Sequence, residues 1–468
     1  MPYLFGGETG FKLKRTRLTV APEIGTSSIV DETTHEPIIS ILSLIVETAV
    51  TLRRDGHRVV IVSSGAVGVG LQRMNMSKRP KHLAQIQAWL SRKALAAIGQ
   101  SRLMSIWDSF FAHKNQPVAQ ILITRNDIAD RSQYLNAQNT LAETLSMGVI
   151  PIVNENDTLA VSEIKFGDND TLSAIAAAMV NADYLFLMTD VDCLYDRNPR
   201  KFPDAKPILV VDDIDGLQAD VSSKGSALGT GGMATKIVAA RLATATGTST
   251  IITKSSKPGN IAAIIRHLHP PVEVDSETGT VLSVPSIPSP LHTLFLPSPS
   301  PIRNRAFWIL HGLAPHGTLY IDRGASIALA NKAGLLPVGV VDVEGTFAQQ
   351  EAVRLVVVEK TPLGSLSPTG NSNSISMQLV SREEEIGRAV VNYSSSEIAR
   401  IKRLRSSEIR NVLGYADSEY VAYRENVSLH ASASGDKSRP DTPSGPRTPT
   451  KERTPEASEV DLKSWKRE

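Results

Sequence analysis

The chain of 468 residues is long enough for two or three domains. Apolar residues make up 41% and charged residues 21%, as in ordinary globular proteins, and a net charge of +2 excludes a global attraction to nucleic acid or membrane. The single cysteine, Cys193, excludes an intramolecular disulfide and a cysteine-rich zinc site. It also indicates a reducing compartment. No run approaches the roughly 20 apolar residues that cross a bilayer, and the first residues lack a secretory signal, so we expect a cytoplasmic protein with no membrane segment.

The region from residue 17 to 268 alternates strand-like and helix-like segments. Strand patterns lie at 58–64, 149–157, 184–190 and 248–254, and helical patterns lie at 38–54, 83–111, 132–147, 171–181 and 233–246. Continuous apolar strands that alternate with helices predict an α/β domain with a mainly parallel sheet sandwiched by helices. Ligands bind outside the carboxyl ends of the strands in such sheets, so we expect the site there.

Composition divides the rest of the chain into three parts. Residues 269–302 contain the run PSIPSPLHTLFLPSPSP and are predicted to be a proline- and serine-rich linker. Short strand-like runs separated by glycine predict a small β-barrel domain over 303–428. Residues 429–468 have too few apolar side chains to form a core, so we expect a disordered tail.

The first motif is VAPEIGTSS at 20–28, an apolar run that leads into a tight turn with Gly25, Thr26 and Ser27. The pattern is typical of a strand that feeds a phosphate-binding loop. Such a loop usually comes with a lysine, because clustered phosphate charge needs a positive partner. Here the residue two before the glycine is Glu23. The residues alone therefore leave open whether this loop binds phosphate.

Two further strand ends carry polar residues. VIVSSGAVGVG at 60–70 ends a strand in a turn of small residues, where Ser64 and glycine N–H groups can hold a carboxylate. Close packing of helix on strand explains the same turn equally well. Thr189 and Asp190 end another strand and can accept hydrogen bonds from a ribose or base, or form an ordinary strand-end turn. Cys193 is predicted to be a small buried residue, because nothing places a base beside it.

The densest polar cluster is NENDTLAVSEIKFGDNDTLSA at 154–174, where Asp157, Asp168 and Asp170 lie within fourteen residues. Carboxylates at this density repel one another unless a cationic group is near. Asparagine amides such as Asn169 can donate to a carboxylate and the aspartates can accept from an ammonium, so the set suits a zwitterionic amino acid. The alternative for single residues is helix capping, and Asp170 fits an N-cap for the helix predicted from about residue 171.

The last motif is GTGGMATK at 229–236. Three glycines before a helix bring backbone N–H groups close to an anion, and Lys236 adds a positive charge about one turn into that helix. The spacing is not that of a P-loop. A flexible surface loop is the alternative, but the position of the lysine favours phosphate binding.

Together these motifs resemble those of the glutamate 5-kinases (γ-glutamyl kinases), which belong to the amino acid kinase family, over about residues 17–428. The matching stretches are EIGTSS, VIVSSGAVGVGL, ILITRNDI, GVIPIVNENDT, FGDNDTLSAIAA, LFLMTDVDCLY and GTGGMATK, and VDETTHEP and RPKHLAQIQA look most like the fungal members. Residues 303–425 resemble the C-terminal PUA domain of these kinases through RAFWILHGL, IDRGA, AGLLPVGV, VEGTF and NYSSSEIARIK.

The resemblance implies that ATP, with Mg²⁺, phosphorylates the γ-carboxylate of L-glutamate in the first step of proline biosynthesis, and that proline is a feedback inhibitor. It implies that Ser64, Asp157 and Asn169 bind glutamate, while Lys236, Asp168 and Asp170 carry the transfer. The implied ATP-binding residues are Gly25, Thr26, Ser27, Thr189, Asp190, Thr230, Gly231, Gly232, Met233, Ala234, Thr235 and Lys236. A homo-oligomer and contacts to RNA through the PUA-like domain are also expected.

Glu23 departs from the family pattern, which has a lysine at this place in the loop. Either the chain has lost that lysine, or the first 23 residues come from a mistranslated or mis-spliced start. The second explanation is favoured, because the acidic and glycine positions downstream all keep the pattern. Pro22 adds to the contrast, since proline is usually confined to the edges and ends of strands.

Two other functions compete with this interpretation. Another amino acid kinase, such as an acetylglutamate, carbamate or aspartate kinase, fits the fold, but the PUA-like domain and the NENDT…GDNDT pair argue against it. A catalytically impaired, kinase-like RNA-binding or regulatory protein is supported by Glu23. The basic run RIKRLR at 400–405 is more typical of a solvated helix face than of an RNA site.

Overall fold

The computed structural model describes residues 11–14, 17–76, 85–160, 169–214, 216–217, 219, 232–270, 272–275, 281–283, 288–299, 301–302, 304–358 and 384–430. Asp168, Thr230 and Gly231 lie outside these ranges, as do residues 431–468 of the predicted tail. No helix within the described ranges is long and apolar enough to cross a membrane.

The strands are numbered in chain order. They are β1 (Phe11–Lys14), β2 (Thr19–Ile24), β3 (Arg58–Val59), β4 (Ile61–Ser63), β5 (Val118–Ile123), β6 (Ile150–Glu155), β7 (Tyr184–Thr189), β8 (Leu194–Tyr195), β9 (Pro207–Ile208), β10 (Val210–Val211), β11 (Ser249–Lys254), β12 (Val272–Asp275), β13 (Val281–Ser283), β14 (Thr293–Phe295), β15 (Gly317–Ile321), β16 (Val340–Gly345), β17 (Ala352–Val357), β18 (Glu384–Val390) and β19 (Val427–Leu429).

The helices are numbered in the same way. They are α1 (Thr26–Ile29), α2 (Ile39–Arg54), α3 (Ala66–Arg73), α4 (Gln85–Ala112), α5 (Arg125–Ala129), α6 (Arg131–Ser146), α7 (Asn169–Met179), α8 (Met233–Ala245), α9 (Asn260–Leu268), α10 (Asn304–Phe307), α11 (Arg323–Ala330), α12 (Ser395–Ile401) and α13 (Ile409–Leu413). A short π-helical segment, Trp308–Gly312, follows α10.

The predicted α/β domain is confirmed. Its nine-stranded sheet has the order β10-β14-β11-β7-β2-β4-β6-β5, with β3 also paired to β2. Along this order from β11 to β5, each pair of adjacent strands is parallel, and β3 is also parallel to β2. One apolar core lies between the sheet and α6, α7 and α8, and a second lies on the opposite face under α2, α4 and α9. The near-continuous apolar strands predicted from the sequence are therefore buried on both faces.

The predicted linker over 269–302 is partly wrong. Thr293–Phe295 forms β14, which pairs antiparallel with β11 and parallel with β10. Phe295 is fully buried in the core of the α/β domain. The sequence did not reveal this strand, because three residues are too few to show a strand periodicity and the prolines and serines around them are typical of a linker.

Pro22 lies in a central strand, although proline was expected only at an edge or end. Its register partner in β7 is Phe186. On the other side of β2, the Val60 N–H donates to the Val20 carbonyl at 3.0 Å. In a parallel ladder the next donor towards Val60 would be the N–H of residue 22, which proline lacks. The pairing of β2 is interrupted at this point, between β3 and β4, so the sheet accommodates the proline by losing one ladder bond.

The second domain is confirmed as a small β domain. Its five-stranded sheet has the order β16-β15-β17-β18-β19, with β15 and β17 parallel and the other pairs antiparallel. It has its own apolar core, which includes Leu319, Leu355 and Tyr393. The π-helical segment contacts the α/β domain. Its Trp308 indole Nε1 donates a hydrogen bond to the Ile128 carbonyl at 2.9 Å.

Helices α3 and α4 pack at unusually close range through two glycines. A Cβ atom on Gly99 would lie 1.8 Å from the Ala66 carbonyl oxygen, and one on Gly70 would lie 2.0 Å from the Leu95 carbonyl oxygen. Both obstacles are backbone atoms, so no side-chain rotation can relieve them. This contact fixes α4 against the turn that follows β4.

We expect Gly99→Ala to destabilise the protein by about 1–3 kcal/mol, because the added methyl group overpacks a helix contact that has no free space. Gly259→Ala is the matched control, since nothing lies within 4 Å of a Cβ at that position. Urea denaturation of the two variants and the parent measures the difference. Equal midpoints for both variants would contradict the close packing of α3 on α4.

Candidate active site

A cleft with a volume of about 590 Å³ lies at the carboxyl ends of the central strands. The chain segments that follow β2, β4 and β7 line it, together with the N-terminal turns of α7 and α8. This is the position expected for a ligand in an open α/β sheet. Its volume is within the range typical of small-molecule sites.

Three charged side chains meet at the floor of the cleft. Lys236 Nζ lies 2.9 Å from Glu23 Oε2 and 2.7 Å from Asp170 Oδ1. The exposed fractions of the side chains are 9% for Lys236, 2% for Glu23 and 3% for Asp170. We call Glu23, Lys236 and Asp170 the buried triad. It joins β2, α7 and α8 at one point.

Backbone geometry explains why these residues meet. Glu23 is placed by its register with Leu187 in β7 and Val62 in β4. Asp170 lies in the first turn of α7 and does not cap it, so the capping interpretation of this residue is wrong. Its second oxygen, Oδ2, accepts a 2.6 Å hydrogen bond from Thr235 Oγ1 at the start of α8. Asp170 therefore ties α7 to α8.

Burial and charge shift both titrations in the buried triad. Burial is the largest cause that raises the pKa of Glu23 to about 8, and the Asp170 charge adds to it, while Lys236 acts in the opposite direction. Burial alone would lower the pKa of Lys236, but the two carboxylates outweigh it and raise that pKa. Lys236 is therefore held as an ammonium, and Glu23 takes up a proton at a higher pH than a free glutamate side chain does.

We expect the stability of the protein to depend on the protonation of Glu23. The carboxyl pKa is about 8 in the folded protein against 4.5 for the free group, so the folded state binds more protons between these values. The free energy of unfolding contributed by Glu23 is then fully present below about pH 4.5 and is lost as the pH rises to about 8. Glu23→Gln should remove this dependence.

Thermal midpoints of the parent and the Glu23→Gln variant, measured from pH 5 to 9, test the expectation. The difference between the two curves removes the contributions of carboxylates outside the buried triad, which are common to both proteins. Parallel curves across this range would contradict a raised Glu23 pKa.

A chain of hydrogen-bonded amides lies next to the buried triad. Asn169 Nδ2 donates to Ser64 Oγ at 2.7 Å and to Asn154 Oδ1 at 2.9 Å. Asn154 Nδ2 in turn donates to Gln100 Oε1 at 2.8 Å. Both protons of the Asn169 amide are thus used within the protein. Asn169 offers a ligand its oxygen rather than the N–H groups that the sequence suggested.

The loop after β2 and the end of β7 also line the cleft. Gly25, Thr26 and Ser27 line it, and a Cβ on Gly25 would lie 3.8 Å from Glu23 Oε1. The loop therefore passes beside the Glu23 carboxylate. Thr189 and Asp190 line the cleft as well, and Asp190 forms an exposed 2.7 Å ion pair with Arg200.

The remaining predicted site residues divide into three groups. Gly232 and Met233 line the cleft, whereas Ala234 faces solvent in the first turn of α8. Asp157 is half-buried in the turn after β6 and is not among the residues that line the cleft. Asp168, Thr230 and Gly231 were also predicted and lie outside the described residues.

Sequence reasoning missed Gln100, Asn154 and the partner of Glu23. Asn154 was seen only as part of a polar cluster, and Gln100 lies in a helix whose pattern carries no functional signal. The ion pair between Glu23 and Lys236 joins residues 213 positions apart. The only sequence signal for this ion pair is indirect. Glu23 lies where a phosphate-binding loop usually has a lysine, and Lys236 follows a run of glycines with no acidic partner nearby in the sequence.

Comparison with known proteins agrees with this geometry. Residues 23–254 match the amino acid kinase family, and residues 317–413 match the PUA domain. The chain is 52% identical over 415 residues to a probable glutamate 5-kinase of Schizosaccharomyces pombe, a match that covers 88% of this chain and 93% of that protein.

Two further relatives match at similar coverage. An uncharacterized protein of Saccharomyces cerevisiae is 45% identical over 88% of this chain and 98% of its own length. A glutamate 5-kinase of the cyanobacterium Cyanothece is 46% identical over 88% of this chain and 99% of its own length. With its amino acid kinase and PUA domains, and this identity over nearly the whole length of its relatives, the chain belongs to the glutamate 5-kinase family.

Proposed function

We propose that this protein is a glutamate 5-kinase, which transfers the γ-phosphoryl group of ATP to the γ-carboxylate of L-glutamate in the first step of proline biosynthesis. The observation that carries the proposal is that a polar pocket and a buried lysine share one cleft. Ser64 and Asn169 form the pocket, and Lys236 lies beside it on the floor of the same cleft.

The pocket suits the amino-acid end of glutamate. Asn169 presents an acceptor oxygen to the cleft, which an ammonium group can satisfy. Ser64 Oγ accepts from Asn169, so its own proton is available to a carboxylate. One donor and one acceptor side by side match the two ends of a zwitterion.

The transfer itself requires alignment and charge neutralisation rather than a protein base, because the attacking group is already a carboxylate. Lys236 is the described cation on the cleft floor that can neutralise charge on the transferred phosphoryl group. Asp170 holds its ammonium in place. Gly25, Thr26, Ser27, Thr189 and Asp190 also line the cleft and are proposed to contact the nucleotide.

The side chains of the cleft are compatible with a Mg²⁺ ion that is bound mainly by the phosphates of ATP. Among the described residues, no group of three or more His, Cys, Asp or Glu side chains is arranged to hold a metal ion. Mg²⁺ typically keeps several waters and binds one or two carboxylates together with substrate phosphates. We therefore assign Mg²⁺ to the ATP phosphates, where it would neutralise charge, and assign it no cage of protein side chains.

ATP- and glutamate-dependent ADP release, compared with filter binding of structured RNA, tests the proposal against the kinase-like RNA-binding alternative. The proposal requires ADP release that depends on glutamate. RNA binding without any such release would favour the alternative, which rests on Glu23. Contacts to RNA through the PUA domain, inhibition by proline, a homo-oligomer and a cytoplasmic location stay predictions.

We expect Asp157→Ala to raise the Kd for glutamate by at least about tenfold while leaving nucleotide affinity nearly unchanged. Its carboxylate is proposed to accept from the glutamate ammonium, and a hydrogen bond to a charged group contributes about 1.5–3 kcal/mol. Isothermal titration with glutamate and with a non-hydrolysable ATP analogue measures both affinities. A comparable loss of nucleotide affinity would show that this assignment is wrong.

A further inference from the structure

We propose that Gln100, which lies behind the site, is a positioning residue that sets the donor and acceptor pattern of the glutamate pocket. The inference rests on the proposed function. It assigns to Gln100 the task of keeping the Asn169 oxygen directed at the substrate ammonium and the Ser64 proton directed at a substrate carboxylate. Gln100 acts through Asn154 and does not line the cleft.

The direction of the amide chain is fixed at one end by the backbone. The N–H of Glu155 donates to Asn154 Oδ1 at 2.9 Å in a buried setting. A backbone N–H can only donate, so the atom that faces it must be the oxygen of Asn154. The other end of that amide is then Nδ2, and it needs an acceptor. Gln100 Oε1 supplies one at 2.8 Å.

The remaining steps follow from the first. Asn154 Oδ1 also receives Asn169 Nδ2, so the atom of Asn169 that faces Asn154 must be a donor. The same nitrogen donates its second proton to Ser64 Oγ. Asn169 is left with only its oxygen for a ligand, and Ser64 is left with its own O–H. The Glu155 N–H and the Gln100 acceptor together hold the Asn154 amide in one orientation, and Asn154 in turn sets the polarity of the pocket through Asn169.

Helix α4 is built to hold Gln100 in place. Gln100 and Trp107 are seven residues apart and lie on one face of the helix. Trp107 is fully buried, and its Nε1 donates to Ser63 Oγ at 3.2 Å, one residue before Ser64. Gly99, the residue before Gln100, packs directly against the Ala66 carbonyl and so holds this part of α4 close to α3. The helix thus contacts both strand ends from which the pocket is built.

Without the Gln100 acceptor, the buried Asn154 amide would have an unpaired N–H, a state that proteins avoid. If the Asn154 amide instead rotated by half a turn, its NH₂ group would leave the empty position but would then face the Glu155 N–H, which is also a donor. Either outcome weakens the hold on Asn169. The loss should fall on recognition of the ammonium, because that group faces the Asn169 oxygen.

The experiment measures binding of L-glutamate and of glutarate, which lacks the amino group, to the full chain by isothermal titration. Gln100→Leu removes the acceptor at similar volume, Gln100→Glu keeps an acceptor, and Ser101→Ala is the control at an exposed position of the same helix. We expect Gln100→Leu to weaken glutamate binding about tenfold or more, glutarate binding much less, and binding of a non-hydrolysable ATP analogue not at all. Gln100→Glu and Ser101→Ala should stay within about threefold of the parent.

A double-mutant cycle separates positioning from general damage. If Gln100 acts through Asn154, Gln100→Leu should have no further effect on glutamate binding in an Asn154→Ala background. Equal losses for glutamate and glutarate, a parallel loss of nucleotide binding, additive effects in the cycle, or a Gln100→Glu variant as weak as Gln100→Leu would each overturn the proposal. Failure of the parent itself to bind glutamate would instead reject the proposed function, and this inference with it.

Discussion

Replacing Glu23 by lysine is expected to raise the rate of ATP- and glutamate-dependent hydroxamate formation by at least about a hundredfold. Removing one well-placed electrostatic contact to the transition state typically costs about 10²–10³ in rate, and the parent chain lacks such a contact at this position. The buried triad makes the reason concrete. Lys236, which should face the transferred phosphoryl group, is held between two carboxylates at 2.9 and 2.7 Å.

The charge on the cleft floor decides the direction of the effect. Burial raises the Glu23 pKa to about 8, so this carboxyl is mostly uncharged at pH 7, and lysine at position 23 adds a positive charge beside Lys236. Above about pH 8 the substitution also removes a negative charge. A carboxylate at 4 Å from a phosphate charge costs about 1 kcal/mol in water and about 4 kcal/mol at an effective dielectric constant of 20. The parent chain should therefore be a poor kinase that still binds glutamate, because the amide chain does not involve Glu23.

The structure also simplifies the design of this variant. The stretch TVAP at 19–22, with its proline, raises the question whether this strand must also be replaced before activity can return. In the structure these residues form the buried central strand β2, including Pro22, so the single substitution is a sufficient test. Glu23→Gln is the matched control, since it removes the repulsive charge without supplying a lysine.

At pH 9, above the Glu23 pKa of about 8, the Glu23→Gln control is expected to be faster than the parent and slower than Glu23→Lys, whereas at pH 7 its rate should differ little from that of the parent. Rates are compared side by side at saturating glutamate and ATP. A parent chain as active as the Glu23→Lys variant would mean that the carboxylate beside Lys236 does not obstruct phosphoryl transfer, and that the position assigned to residue 23 in the phosphate site is wrong.

The sequence predicted the α/β architecture because its signal is local and repeated. Continuous apolar runs such as 184–190, separated by helical patterns, report burial on two sheet faces, and the structure has strand β7 there. It missed β14, where three residues among prolines carry no periodicity. The sequence also contained no sign that Pro22 could lie in a central strand. The break between β3 and β4, which accommodates the missing proline N–H, is visible only in the structure.

The site was predictable as a set of residues but not as an arrangement. Residue types around Asp170 and Lys236 indicated phosphate and an amino acid, and the structure brings both residues to one cleft. The role of Asp170 as the partner of Lys236 and Thr235, rather than a helix cap, depends on contacts across about 65 residues. The orientation of Asn169 depends on the Glu155 N–H, which acts through the Asn154 amide. Spacing along a sequence cannot show which end of an amide faces a ligand.

Removal of the central cation should be the most destabilising single change in the cleft. Lys236→Met is expected to lower the free energy of unfolding by about 3–5 kcal/mol, because it leaves buried carboxylates without their partner. Sharing of one proton between Glu23 and Asp170 limits the loss to this range. The matched control is Lys254→Met, whose ion pair with Asp192 is 3.1 Å long and about one third exposed, so its loss should stay below about 1 kcal/mol.

The double variant Glu23→Lys with Lys236→Met separates charge from packing. It restores one cation to Asp170 and removes the second carboxylate, so we expect it to recover most of the stability lost in Lys236→Met. Activity should stay low in both proteins, because Lys236→Met lacks both of the lysines that would face the phosphoryl group and the double variant lacks one of them. Urea denaturation of the parent, the two single variants and the double variant gives the coupling energy between positions 23 and 236. A coupling energy near zero would show that the buried triad does not act as an electrostatic unit, and that the proximity of Glu23 and Lys236 contributes nothing to the stability of the fold.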